Sequence, residues 1–332
     1  MTRVVVIATG GTIASESTGA GVVATRTAAH LLDTATITGV QVETIDLMTV
    51  GSYRMSLHHL RMVSDAVADL LDRTDDPVDG IVITHGTDTM EETAILLDLV
   101  HDDPRPVILT GAQRAGDAGD GDGPRNLTDA VRVAASPDTR DLGVLIVFGG
   151  RILPARGTRK VHTTALDAFR CTTGSRVGDV TDRAVTVAAV PRRPKPLPRP
   201  TADLDHTRVD LVETYPGADD TLIRAAVKAG ATGIVIAGTG IGNANPTIVQ
   251  TVNELVHNGI AVVLSTRVPE GPVCGVYGNG GGADLVAAGV PAASGLPATQ
   301  LRILLALWLS QSRNESQSIT SMIDTHADNK ED

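Results

Sequence analysis

Aromatic side chains are nearly missing from this chain, which has two Phe, three Tyr and one Trp among 332 residues. With 42% of the residues hydrophobic, the cores must therefore be built from Val, Ile, Leu and Ala. That is the composition of buried parallel sheets flanked by helices. Cysteine is also scarce. Cys171 and Cys274 stand far apart, with no CxxC or Cys/His spacing of a zinc site, so two separate thiols are expected rather than a disulfide. No uninterrupted apolar run approaches the ~20 residues of a membrane helix. The chain opens on a strand pattern, Val4-Val5-Val6-Ile7, without the basic and apolar regions of a signal peptide, and a cytoplasmic location is the expectation. Positive charge is outnumbered, 28 Lys and Arg against 39 Asp and Glu, giving a net charge of −11. Nucleic acid and anionic membrane are accordingly not expected as partners, and the acidic balance reads first as a solubility feature.

What is present is an alternation of short apolar runs and helical patterns. A strand over about Arg3 to Ala8 breaks into Thr9-Gly10-Gly11-Thr12-Ile13-Ala14. The two glycines let the backbone turn sharply and approach a neighbour closely. Ser15 to Gly21 is rich in Ser, Thr and Gly, has no period, and reads as a mobile loop beside Thr12. A helix is expected over Ala28 to Thr34, a strand over Val40 to Leu47, and a helix over Leu57 to Asp72. Ser56 caps that helix, whose apolar stripe is Leu60, Val63, Val67 and Leu70/Leu71. Next, Ile81-Val82-Ile83 runs into Thr84-His85-Gly86-Thr87-Asp88-Thr89-Met90-Glu91-Glu92, and a helical pattern follows. A buried strand thus ends in a turn crowded with hydroxyls, a carboxylate and an imidazole, the place where open α/β sheets bind ligands.

Strands at Pro106 to Thr110 and Gly143 to Phe148, with a helix over Arg125 to Ala135 between them, extend the alternation. The fold class expected is α/β, a doubly wound and mostly parallel sheet. The Gly/Asp-rich loop Ala115 to Pro124 carries Asp117, Asp120 and Asp122 but lacks the bidentate Glu of a calcium loop, and reads as a solvated loop. Segments near 150–153 and 185–188 look like short, antiparallel strands. Pro191 to Thr201 holds five prolines and four basic residues, as a semi-rigid linker does. The expected organisation is a larger domain over 1–190, a Pro-rich linker over 191–207, a smaller α/β domain with its own parallel sheet over 208–312, and a polar, fraying tail over 313–332.

The residues alone leave the chemistry open. A threonine hydroxyl needs a base or a cation to become a nucleophile. Lys160 beside a carboxylate and a hydroxyl could supply one, in a variant of the nucleophile–base–orienter arrangement, although a lysine on a surface hairpin is usually just solvated. His85 reads as structural rather than as a general base. Gly238-Thr239-Gly240-Ile241-Gly242 follows a strand and could be read as a phosphate loop, but its GxGxG spacing fits a tight turn presenting Asn243 and Asn245 better.

Thr9 to Ala14 taken together with Ile83 to Ala94 resembles the two signatures of the bacterial L-asparaginase/glutaminase family. The resemblance extends through Leu109 to Arg114, Asp122 to Leu127, Lys160 to Thr164 and Gly240 to Asn245, nearly the whole chain. It implies hydrolysis of L-asparagine to aspartate and ammonia with no metal or cofactor, through an acyl-enzyme on Thr12. Thr87, Asp88 and Lys160 match the second catalytic group. Gly11, Ser52, Thr87, Asp88 and Asn245 match substrate-binding positions, with Ser52 on the α-carboxylate, Asp88 on the α-ammonium, and Asn245 serving a neighbouring subunit's site. A homo-oligomer, dimer or tetramer, with shared active sites is implied.

The chain departs from the family pattern at Val22, where a loop tyrosine is usual, and at Tyr53, where a glutamine is common. It departs again over Val276 to Asp284, where a glutamate is common. Alternatives are hydrolysis of L-glutamine or another amide-bearing substrate, or a non-catalytic amino-acid-binding protein on the same scaffold.

Overall fold

A computed structural model describes residues 1–18, 21–24, 27–33, 35, 37–311 and 318–327, with backbone alone for 16–18 and 21–24. The chain divides into two units, Met1–Arg199 and Pro200–Asp332. In the first, the elements run β1 (Thr2–Ala8), β2 (Ser15–Thr18), β3 (Gly21–Ala24), α1 (Ala28–Asp33), β4 (Val40–Asp46), α2 (Leu57–Leu71), β5 (Gly80–Thr84), α3 (Met90–Val100), β6 (Val107–Thr110), α4 (Gly123–Ala135) and β7 (Val144–Phe148). Five short strands close the unit: β8 (Arg151–Pro154), β9 (Thr158–Lys160), β10 (Phe169–Cys171), β11 (Gly178–Val180) and β12 (Val185–Val187).

Among the described residues, eight strands form one sheet in the order β12-β11-β8-β7-β6-β5-β1-β4. The five from β4 to β7 pair in parallel. β8, β11 and β12 extend the sheet antiparallel. The central strands are buried on both faces, so they are apolar throughout rather than alternating. β1 sends Val5 and Ile7 into the core under α2 and α3, and Val4 and Val6 into the core under α1 and α4. Residues two apart along a strand share a face, so one run of valines and isoleucines serves both layers. α2 carries the expected stripe, with Leu60, Val63, Val67 and Leu70 buried. At its start the Ser56 backbone N–H donates to His59 Nδ1 at 3.1 Å.

The chain passes from β1 to β4 on one side of β1 and then to β5 on the other side. The switch point of the sheet therefore lies between β1 and β5, where open α/β sheets form a ligand crevice at their carboxyl ends. Where a mobile loop was expected over Ser15 to Gly21, the backbone instead forms an antiparallel hairpin, with Ser15 opposite Ala24 and Thr18 opposite Gly21. β2 is polar along its length, which hides the apolar alternation on which strand reading depends, and positions 19–20 of that stretch lie outside the described residues.

The segment after Ala188 has no regular structure but is tied down. Arg193 donates to His101 O at 2.6 Å, Leu197 N donates to Leu99 O at 2.7 Å, and Arg199 pairs with Asp72 at 2.7 Å.

The second unit contains β13 (Val209–Glu213), α5 (Thr221–Lys228), β14 (Gly233–Gly238), α6 (Pro246–His257), β15 (Ala261–Thr266), α7 (Gly282–Ala287), α8 (Ala298–Ser310) and α9 (Ile319–His326). Its three strands pair in parallel in the order β13-β14-β15. The core is aliphatic, with Ile223, Ile234, Ile236, Val252, Leu264 and Leu285 fully enclosed or nearly so. α9 corrects the fraying tail expected beyond 312, because Met322, Ile323 and His326 are buried along one face. The Gly238–Gly242 stretch is a closed turn in which Thr239 and Asn243 exchange backbone bonds of 2.8 Å in both directions.

Candidate active site

Three segments that follow parallel strands meet at the switch point, and glycine makes the meeting possible. A Cβ on Gly11 would lie 2.4 Å from Gly86 N and 2.5 Å from Gly86 Cα. A Cβ on Gly86 would lie 2.5 Å from Ser52 Oγ, and one on Gly10 would lie 2.7 Å from Val50 N. Gly10 and Gly11 also have φ of 102° and 82°, the left-handed region that side chains disfavour. The segments after β1, β4 and β5 are thus locked backbone to backbone. Thr9 strengthens the contact, donating both its amide and its hydroxyl to Thr84 O at 3.1 and 2.9 Å.

Each segment delivers one or more of the residues singled out in the sequence. Thr12 opens a short 3-10 turn, Thr12–Ala14, and is half-buried. Among the described residues its hydroxyl has no hydrogen-bond partner. Ser52 is buried, its Oγ accepts from Asp88 N at 3.2 Å, and its carbonyl accepts from Thr89 Oγ1 at 2.9 Å. A hydroxyl that accepts in this way keeps its own proton to offer to an anion. Thr87 is buried, whereas the Asp88 side chain is 55% exposed. Asp88 lies just ahead of α3, where the helix dipole favours a carboxylate.

Lys160 completes the set. Its Nζ donates to Thr87 Oγ1 at 2.8 Å and to Asp88 Oδ1 at 2.9 Å. A cation placed between a hydroxyl and a carboxylate is a proton-handling arrangement. Two further residues that carried no assigned role brace the set, Glu91 at Lys160 and Gln113 at Thr87. Glu91, buried in the first turn of α3, accepts from Lys160 N at 2.6 Å and so pins β9 to the helix. Gln113, after β6, accepts from Thr87 Oγ1 at 3.2 Å and reaches the 163–165 segment with its amide nitrogen. In the sequence Glu91 and Gln113 were each one letter of a longer motif. Both contacts join residues far apart in the chain, 69 positions for Glu91 and 26 for Gln113.

The remaining polar residues are structural. His85 is fully buried, and its Nδ1 faces Gly86 O at 2.7 Å while Nε2 faces Thr93 Oγ1 at 2.9 Å. A carbonyl only accepts, so Nδ1 carries the proton and Nε2 receives the threonine's. Burial lowers the imidazole pKa to about 4 despite the opposing bond to Gly86, so at neutral pH it is uncharged and already committed. Asp122 accepts from the backbone amides of Gln113 and Arg114 and from Asn126 Nδ2, a loop brace in the acidic stretch. Arg114 pairs with Asp120, and Arg125 lies near Asp129 and Asp182. Among the described residues no group of three or more His, Cys, Asp or Glu could hold a metal ion, and no helix is long and apolar enough to cross a membrane.

Asn245 belongs to the second unit. It caps α6, with Oδ1 accepting from Ile248 N at 3.0 Å and Nδ2 donating to Ala218 O at 2.8 Å. Tyr53 and Tyr277 are 74% and 60% exposed. The side chain of Val22 lies outside the described residues.

Residues 3–193 match the family model of the N-terminal asparaginase domain, and residues 208–322 match that of the glutaminase/asparaginase C-terminal domain. The chain belongs to the asparaginase family. It is 38% identical over 312 residues to a probable L-asparaginase of Deinococcus radiodurans, covering 93% of each chain. It is 33% identical over 318 residues to an L-asparaginase of Bacillus licheniformis, covering 93% of this chain and 95% of that one. The crystal structure of a probable cytoplasmic L-asparaginase from Campylobacter jejuni superposes with a TM-score of 0.87 at 28% identity, over 98% of this chain and all of that one. The two stretches that carried the family resemblance, Thr9 to Ala14 and Ile83 to Ala94, are the ones that the fold brings into contact at Gly11 and Gly86.

Proposed function

We propose that this asparaginase-family chain hydrolyses the side-chain amide of L-asparagine to L-aspartate and ammonia. The observation that carries the reading is the bonded set Thr87–Lys160–Asp88 standing at the crevice where Gly11 meets Gly86. In the proposed reaction Thr12 Oγ attacks the amide carbon, and its proton goes to the departing amine, which leaves as ammonia. Backbone N–H groups of the two glycine turns steady the oxyanion. Water then attacks the resulting ester. Thr87 holds that water, and the proton the water loses passes through the Lys160–Asp88 pair and returns to Thr12 as the ester bond breaks. Ser52 takes the substrate α-carboxylate and Asp88 the α-ammonium, while Gly11 supplies close backbone approach. The proposed steps draw on the chain's own side chains and backbone amides and on water.

A homo-oligomer, dimer or tetramer, in the cytoplasm is part of this reading, with Asn245 serving the site of a neighbouring copy. Its location is supported by the Campylobacter jejuni neighbour, which is described as cytoplasmic.

The test is ammonia release from L-asparagine by wild type and Thr12→Ala. Turnover should fall by about 10³-fold or more with binding retained, the scale on which loss of a nucleophile acts. Binding without turnover in the wild type would leave a binding protein in place of an enzyme. L-Glutamine is the second reading, supported by the glutaminase/asparaginase description of the matched C-terminal model. Side-by-side turnover of the two amino acids decides between them.

A further inference from the structure

We infer that Gln113 is a positioning residue for Thr87: it fixes that hydroxyl as a hydrogen-bond acceptor toward the reacting water, a role that rests on the amidohydrolase reading above. The argument begins with which way round the Gln113 amide lies. Its nitrogen is 3.0 Å from Ala165 O and 3.4 Å from Thr163 O. Both of these are carbonyls and can only accept, so the NH₂ end must face them, because the reverse orientation would set three oxygens against one another. The carbonyl end, Oε1, therefore faces Thr87 Oγ1 at 3.2 Å.

Oε1 has no proton, so Thr87 has to donate to it. Lys160 Nζ, 2.8 Å away, has only protons to give, so Thr87 also accepts from Lys160. The one hydroxyl proton and one of the two lone pairs are then spoken for. What Thr87 can still offer to the crevice is a lone pair. It cannot polarise the substrate's amide carbonyl by donating to it. It can accept a hydrogen bond from a water O–H and so aim that water's oxygen at an ester carbon. Between the two tasks open to this threonine, the hydrogen-bond chain Ala165–Gln113–Thr87–Lys160 selects the second.

The chain is anchored at both ends. The Gln113 backbone amide is held by the Asp122 carboxylate at 3.0 Å, and Lys160 N is held by Glu91 at 2.6 Å. Gln113 is half-buried and touches Thr87, not the reacting atoms, so its influence on turnover runs through the direction of one O–H bond.

The test compares kcat and KM for L-asparagine in wild type, Gln113→Met and Gln113→Glu. Methionine keeps the volume and removes the acceptor, which frees the Thr87 proton to rotate into the crevice. kcat should fall on the order of ten- to a hundredfold, the scale on which misplacing a reacting group acts, with KM within about twofold because Ser52 and Asp88 are untouched. Glutamate keeps an acceptor toward Thr87 but puts a second oxygen against the Ala165 and Thr163 carbonyls. Its rate relative to wild type should be lowest near about pH 8 and recover toward about pH 5, as protonation of the carboxyl restores a donor.

If Gln113→Met does not fold, the pH dependence of the Gln113→Glu to wild-type ratio decides. Wild-type kcat in Gln113→Met, a raised KM at unchanged kcat, or a flat Gln113→Glu ratio overturns this proposal alone. Absence of ammonia release by the wild type overturns the amidohydrolase reading and this proposal with it.

Discussion

Thr12 and Thr87 stand after neighbouring parallel strands, on backbone turns that touch, yet they are held in opposite ways. Thr87 is buried and its hydroxyl is bonded on both sides, to Lys160 and to Gln113. Thr12 is half-buried at the start of a three-residue turn, and among the described residues no group bonds its hydroxyl. A hydroxyl that orients a water has to be aimed before the water arrives, because preorganisation is what makes it useful. A nucleophile must instead be free to close on its target and to carry an acyl group afterwards. Under the proposed reaction the difference fits the two roles, Thr12 as nucleophile and Thr87 as holder of the water. It also puts the burden of activating Thr12 on the crevice around it rather than on a standing bond.

The sharpest way to break the comparison is Lys160→Met. If the Thr87 side is a working unit, turnover should drop by about 10²- to 10⁴-fold, the range seen when a proton-handling group is removed. Stability should barely change. Methionine keeps most of the lysine stem, and an ion pair with an Asp88 that is 55% exposed contributes about 0–1 kcal/mol at most. Steady-state kinetics together with a melting curve reads both quantities. Unchanged turnover would leave Thr87 and Asp88 without their shared proton route.

A smaller effect, on stability, probes the residue that precedes the Gly86 turn. His85 is held neutral by burial, with its pKa lowered from 6.5 to about 4. The unfolded chain takes up its proton near pH 6.5, whereas the folded chain resists down to about 4. Stability is thus undiminished by this group above about 6.5 and is lost as pH falls from there toward 4, by on the order of 3 kcal/mol in total. Denaturant titrations from pH 7 to 4.5 should show that loss in wild type and a flatter dependence in His85→Gln. The variant should itself be about 1–3 kcal/mol less stable at pH 7, since the Gly86 carbonyl and Thr93 hydroxyl lose a buried partner. Equal slopes for the two proteins would mean that other groups carry the acid sensitivity.

How much of this could be read in advance depends on range. The parallel strands and their glycine turns were legible because Val4 to Ile7 and Ile81 to Ile83 are unbroken β-branched runs, a signal that needs no knowledge of neighbours. The α2 stripe was legible for the same reason. The hairpin of β2 and β3 was not, since Ser15–Thr18 is polar and its pairing depends on a separate segment, Gly21–Ala24. Nor was α9, where Ile319, Met322, Ile323 and His326 fall at helical spacing inside a polar tail that outweighed them. At the site, Thr87, Asp88 and Lys160 could be grouped only by family resemblance, because Lys160 lies 73 positions beyond Thr87. The contacts of Gln113 and Glu91 carried no local signature at all. Their meaning comes from which way one amide faces and where one backbone N–H points, and only the tertiary fold decides those.

The smallest expected effect tests whether the comparison stops at the first unit. Asn245 is bonded at both ends of its amide within the second unit, to Ile248 N and Ala218 O, which is a sufficient structural reason for an asparagine. Each end nevertheless keeps one valence, a second N–H and a second lone pair, with which a neighbouring copy's substrate could be met. Asn245→Ser separates the two roles. Serine caps helices about as well as asparagine, so the stability loss should be limited to about 1 kcal/mol for the missing bond to Ala218. Under the proposed shared site, KM for L-asparagine should still rise about two- to fivefold, the loss of roughly half to one hydrogen bond's net worth, with kcat nearly unchanged. Sedimentation at assay concentration supplies the other half of the test. An oligomer with the raised KM extends the substrate grip beyond Ser52 and Asp88, whereas a fully active monomer, or an unchanged KM, returns Asn245 to helix capping and leaves the crevice at Gly11 and Gly86 complete within one chain.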